Sequence, residues 1–245
     1  LNAGIIIIGD EVLSGRTKDT NSNFIAKQLI EAGIQLDEII VIHDNKEVIV
    51  ETILNFHTKY TYVFTTGGIG PTHDDITSES IALAFNQKYC FNDKAYKILE
   101  EYYPKGEFNQ GRKKMAKMPE NEELILNPVT AAPGFKINNI YVLPGVPDIM
   151  QLMFLNLLEN LKKGSPKKII TININLYESS IASELEKIQN KNPLCAIGSY
   201  PYYNYISKIG GVNLVISSWE LENLDSIASE IQTMIKLLGG KSSIV

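Results

Sequence analysis

The chain has 245 residues, 44% hydrophobic and 21% charged, with two cysteines, which is the mix of an ordinary globular protein able to bury a core without disulfides. Its 23 basic and 28 acidic side chains leave a net charge of −5, and no basic tract is long enough to track a phosphate backbone, so nucleic acid is disfavoured as the main partner. Cys90 and Cys195 follow no metal or redox spacing, which points to a reducing, cytoplasmic compartment.

The longest apolar run, AGIIII at 3–8, is too short to cross a bilayer, and no signal peptide precedes it. Residues 4–8 read instead as a strand buried on both faces. A polar loop, GDEVLSGRTKDTN, follows. A helix over 23–33 then places Phe24, Ile25, Gln28 and Leu29 on one face, with Gly33 as its cap. A strand at 36–42 leads to Asn45, the expected N-cap of a helix over 46–58. A third strand, 61–65, enters TTGGIGPTHDDIT (65–77), and a helix at 78–85 follows. Strands alternating with helices imply right-handed crossovers and a three-layer α/β fold with a mostly parallel sheet.

Helices at 93–103 and 109–117 come next, then short strands at 123–126, 135–137 and 140–143 with a hairpin across Asn138-Asn139. A helix at 147–161 closes a first domain, residues 1–163. KKGSPKK at 162–168 is charged and carries Gly164 and Pro166, as a linker does. Beyond it, a strand (169–176), a helix (179–190), two strands (194–199 and 212–218) and a helix (222–237) make a small α+β domain, residues 168–245. The GKS at 240–242 lacks the upstream glycine of a phosphate loop and reads as a frayed tail.

The chemistry concentrates at 66–75. Gly67, Gly68 and Gly70 can adopt backbone angles closed to other residues, so their amides can converge on an anion beyond the end of a parallel strand. The loop is neither a Walker loop nor GxGxxG. Asp74 and Asp75 follow at once, beside His73; one aspartate would suffice to cap a helix. A second acidic pair, Asp10-Glu11, ends the first strand. Four carboxylates near an anion loop make sense if a divalent cation (Mg²⁺, Mn²⁺ or Co²⁺) bridges them to phosphate oxygens. Asp10, Glu11, Asp74 and Asp75 are thus the expected metal residues, with Asp74 or Asp75 as catalytic base. Arg112, Lys113 and Lys114 form a basic run open to two readings, a solvated face or a substrate phosphate contact. His43 and His57 read as surface or cap residues. Tyr200, Tyr202, Tyr203 and Tyr205 crowd Pro201 without a basic groove, which favours packing or a dimer surface over stacked bases.

GDEVLSG at 9–15, Asn21 and Asn23, TTGGIGPTHDDIT, APGF at 132–135 and LPGVP at 143–147 together resemble the molybdopterin-binding-like fold of the MoaB/MogA proteins. The match is nearest to the N-terminal domain of CinA (competence/damage-inducible protein A) and the N-terminal domain of eukaryotic FAD synthases, and it covers residues 4–161. The segment after 165 resembles the KH-like domain that follows in CinA proteins; the amidohydrolase domain ending many of them has no counterpart. The resemblance implies homo-oligomers and one of two activities. One is metal-dependent cleavage of a diphosphate such as ADP-ribose or FAD; the other is molybdopterin binding without hydrolysis. A regulatory protein that keeps the fold is a third reading, suggested by the altered segment at 130–131. It places Thr66, Gly67, Gly68, Gly70, Pro71, Thr72 and Asn23 on the substrate. Pro133, Gly134, Pro144, Gly145 and Pro147 would form the far wall. One departure is visible: CinA sequences usually read GTAPGF where this chain has Thr130-Ala131-Ala132-Pro133-Gly134-Phe135.

Overall fold

A computed structural model describes every residue except 205–208 and 222, so Tyr205 lies outside the described residues. The chain divides into two compact units, residues 1–164 and 165–245.

The first unit begins with strand β1 (Asn2–Ile8), the short helix α1 (Asp10–Leu13), helix α2 (Asn21–Glu31), strand β2 (Gln35–Ile42), helix α3 (Lys46–Lys59) and strand β3 (Tyr62–Thr66). Helix α4 (Thr77–Ala84), strand β4 (Tyr89–Phe91), helix α5 (Asp93–Tyr102), helix α6 (Gln110–Lys114) and strand β5 (Lys117–Pro119) follow. Strands β6 (Glu123–Ile125), β7 (Gly134–Ile137) and β8 (Ile140–Leu143) and helix α7 (Pro147–Glu159) complete it.

Six strands form one sheet in the order β2-β1-β3-β8-β7-β6, parallel from β2 to β8, with β7 and β6 antiparallel at the edge. The isoleucines of β1 show why the run is apolar throughout. Ile5 and Ile7 enter a core with Ile25 and Leu29 of α2 and Phe154 of α7. Ile6 and Ile8 enter another with Ile49 and Ile53 of α3 and Ile81 of α4. Helices therefore cover both faces, and a polar residue in β1 would face apolar side chains on either side. The chain goes from β1 to β2 on one side and returns to β3 on the other. Their C-terminal loops therefore part between β1 and β3, the switch point where open α/β sheets bind ligands.

Several elements differ from expectation. The loop after β1 contains α1. The helix expected at 109–117 ends at Lys114, and β5 pairs antiparallel with β4, burying Ala116 and Met118 against the α3–α4 side of the core. The Asn138-Asn139 hairpin is present. Asn138 has φ 54°, and the Asn139 amide group donates to the carbonyls of His57 and Tyr60, pinning the turn to the end of α3.

The second unit comprises β9 (Lys168–Ile174), α8 (Glu178–Lys191), β10 (Ala196–Asn204), β11 (Ile209–Ser218), α9 (Asp225–Leu237) and β12 (Ser242–Ile244). Its antiparallel sheet runs β10-β11-β9-β12, and Ile172, Leu214, Ile216, Ile181 and Ile231 share a separate core. The GKS read as a frayed tail leads instead into β12, which starts at Ser242 and pairs with β9. Tyr200, Tyr202 and Tyr203 are exposed on β10.

Candidate functional site

A cavity of about 510 Å³ opens where the C-terminal ends of β1, β2, β3 and β8 meet. The sequence builds its floor from glycine. Gly67 has φ +103°, and a Cβ there would stand 2.1 Å from the Ile8 carbonyl oxygen; Gly68 has φ +67°, and a Cβ would meet the Thr77 hydroxyl at the same distance. Thr77, fully buried, donates its hydroxyl to the Gly67 carbonyl at 3.1 Å, and its amide donates to the Gly68 carbonyl. The loop is thus tied down by its carbonyls. The Gly67 amide donates to Leu143, whereas among the described residues those of Gly68, Ile69 and Gly70 have no acceptor within the chain. Free amides at the end of a parallel strand suit an anion.

Glu11, Asp44, Asp74 and Asp75 line the same cavity, as do Pro71, Thr130, Ala132, Pro133, Pro144, Gly145 and Pro147. The aspartates do not cap α4, whose N-cap is Ile76 with no side-chain bond. Instead Asp75 accepts from the Thr72 amide at 2.8 Å, and the Thr72 hydroxyl lies 2.6 Å from Asp75 Oδ2 and in hydrogen-bond contact with Asp74 Oδ1. That hydroxyl has one proton for two carboxylates, which leaves the pair short of positive charge. It holds the Asp74 carboxyl below its ordinary pKa, so Asp74 is ionised at neutral pH.

Asp44, at the end of β2, was not singled out from the sequence. It is half-buried, and desolvation raises its pKa; the nearby Asp10, Glu11 and Asp74 push the same way, against the Asp10 amide, which donates to Asp44 Oδ2 at 3.0 Å. The available signal was positional: Asp44 ends a parallel strand, as Asp10 and the glycine loop do.

Other expected residues lie elsewhere. Asp10 does not line the cavity; its carboxylate is 2.6 Å from His43 Nδ1 at the exposed rim. Asn23 is exposed on α2 and outside the cavity. Its neighbour Asn21 is buried and donates its amide nitrogen to the Gly145 carbonyl at 2.8 Å, supporting the wall. Thr66 borders a small adjoining chamber with Asn21, Gly67 and Gly145. Thr72 is turned to the aspartates. Gly134 is buried in β7, where a Cβ would meet the Val142 carbonyl at 2.2 Å, so it packs β7 on β8. In the 130–135 segment Ala131 takes φ 65°, and Asn127 braces the turn by donating to Thr130 and to the Ala132 carbonyl.

Among the described residues no three His, Cys, Asp or Glu side chains are placed to hold one metal ion. The donor set fits a different arrangement, in which one or two carboxylates and the substrate's phosphates share a hard cation, the usual habit of Mg²⁺. Of the four carboxylates expected at the metal, Asp74 and Asp75 share Thr72 at the cavity wall and Glu11 lines the cavity as well, whereas Asp10 does not.

Fold and cavity define an α/β domain with a ligand-sized cavity at the switch point of a mostly parallel sheet. Residues 4–163 match the family model for a probable molybdopterin-binding domain, and the chain belongs to that family. Residues 169–238 match the model for the middle domain of FAD synthase. A protein of Archaeoglobus fulgidus is 37% identical over 82% of this chain and 86% of its own length. A CinA-like protein of Flavobacterium psychrophilum is 38% identical over 64% of this chain, a stretch spanning 39% of that protein. A probable FAD synthase of Caenorhabditis elegans is 28% identical over 95% of this chain and 50% of that protein. The solved structure of CinA from Thermoplasma acidophilum superposes with a TM-score of 0.62 at 32% identity, covering 65% of this chain and 96% of that one. No helix among the described residues is long and apolar enough to cross a membrane.

Proposed function

We propose that the chain hydrolyses a nucleotide diphosphate of the ADP-ribose or FAD type. The observation that carries this reading is the sharing of one cavity of about 510 Å³ by uncommitted backbone amides and by carboxylates. The amides of Gly68, Ile69 and Gly70 are suited to bind phosphate oxygens and to stabilise charge that develops on them in the transition state. One or two of Glu11, Asp74 and Asp75 would hold a divalent cation jointly with the substrate. When bound, that cation would neutralise the diphosphate and acidify a nearby water. Asp74 or Asp75, held by Thr72, is placed to take the proton of an attacking water. Pro133, Pro144 and Pro147 give rigid walls that limit the pose of the ligand. The match of residues 169–238 to part of FAD synthase supports a nucleotide ligand.

The test is incubation of the purified protein with ADP-ribose, FAD or NAD in Mg²⁺, Mn²⁺ or Co²⁺, with AMP as the expected product. Absence of AMP with every metal sinks the reading. The description of the matching family favours a second one, a module that holds molybdopterin without turnover. Pterin fluorescence in the purified protein, with no AMP released, would select it.

A further inference from the structure

The segment carrying both aspartates is almost self-contained. Within residues 71–75 the Thr72 amide and hydroxyl bond the two carboxylates, and His73 Nδ1 lies 4.0 Å from Asp74. Among the described residues one hydrogen bond leaves the segment, from the Lys114 ammonium to the Thr72 carbonyl.

The neighbours of Lys114 are arranged to deliver it there. Asn109 caps α6 by accepting from the Arg112 amide at 3.0 Å. The Arg112 guanidinium lies 4.1 Å from the centre of the Tyr103 ring and pairs with Glu107 at 3.0 Å. The Lys113 ammonium lies 5.5 Å and 5.9 Å from the centres of the Phe108 and Tyr96 rings. Gly111 lets α6 come up against the loop, since a Cβ there would already be 3.2 Å from the Pro71 carbonyl oxygen. Two cations of the run are spent on an aromatic platform, and the third is aimed at the back of the aspartate loop.

We propose that Lys114 is a positioning residue for the cavity, holding Asp74 and Asp75 in working geometry through Thr72 without touching the substrate. The proposal rests on the hydrolase reading for its kinetic consequence, and on the hydrogen-bond pattern alone for its structural one. Loss of the ammonium removes the bond that ties the Thr72 carbonyl to α6, so both order and orientation suffer. Misplacement by an ångström is enough to cost on the order of a hundredfold in rate.

The experiment uses the full chain with Lys114→Met and Lys114→Arg, both checked for an unchanged cooperative melt. Amide hydrogen exchange is read for residues 72–76, and ADP-ribose cleavage is measured in parallel. Exchange of the Thr72 amide, the one amide of that stretch with an acceptor among the described residues, should quicken about tenfold in the Met variant, with β3 and α4 unchanged. Its kcat should fall tenfold to hundredfold, roughly, at nearly constant KM, with Arg restoring most of it. Unchanged exchange, or unchanged kcat, overturns the proposal. A raised KM at unaltered kcat overturns it too, by making Lys114 a direct phosphate contact. If the wild type itself releases no AMP, the hydrolase reading falls, and the exchange comparison still decides whether Lys114 orders the loop.

Discussion

Each carboxylate at the cavity has its own environment, and its removal should read out accordingly. Asp75 takes two bonds from Thr72 and lines the cavity with the free amides, so Asp75→Ala should lower kcat by about 10²-fold or more while the melt stays cooperative; a preserved rate would refute its role. Asp44 is the opposite case. Its pKa is raised in the folded state, so its ionised form costs stability above that value, and the cost fades as pH falls toward the ordinary carboxylate range. Asp44→Asn, measured in chelator, should therefore melt higher than wild type at pH 7, and the gap should close on acidification. At Ala131, φ 65° is strained for a side chain, and Ala131→Gly should stabilise by about 0.5–1 kcal/mol in denaturant unfolding.

At the scale of elements, what the sequence revealed tracks where local physics decides. Asn45 signalled a helix start and does accept from the Val48 amide at 3.0 Å; Asn45→Ala should cost about 1 kcal/mol in chemical denaturation. The all-isoleucine strand and the TTGGIG loop were legible because burial on two faces and left-handed backbone each demand particular residues. The β4–β5 pair was not, since Tyr89–Phe91 and Lys117–Pro119 are too short to show a period and exist through each other. Helix α6 was overextended for the same reason: Met115-Ala116-Lys117 continues a helical pattern that pairing with β4 overrides. At the N-terminus of α4 neither aspartate caps the helix, and both are engaged by Thr72. Asp44 escaped notice because strand order, which sets its neighbours, is a property of the whole sheet.

For the molecule as a whole, two compact units with no core in common predict separable folding. Residues 165–245 have their own sheet and a core of Ile172, Ile181, Leu214, Ile216 and Ile231, so this piece expressed alone should melt cooperatively; a featureless thermal scan would show that it depends on the rest. The cavity lies wholly in residues 1–164, so that piece should retain whatever ligand the full chain binds. One detail of this unit reaches further. Gly145 sits so close to Gly67 that a Cβ on it would lie 3.4 Å from the Gly67 Cα, and the Gly67 amide is bonded across to Leu143. The chain after β3 and the chain after β8 are therefore joined main chain to main chain, so this part of the cavity lining is set by backbone thickness and is indifferent to rotamers. Substitutions elsewhere in the lining can thus change what the walls recognise while this seam keeps its place.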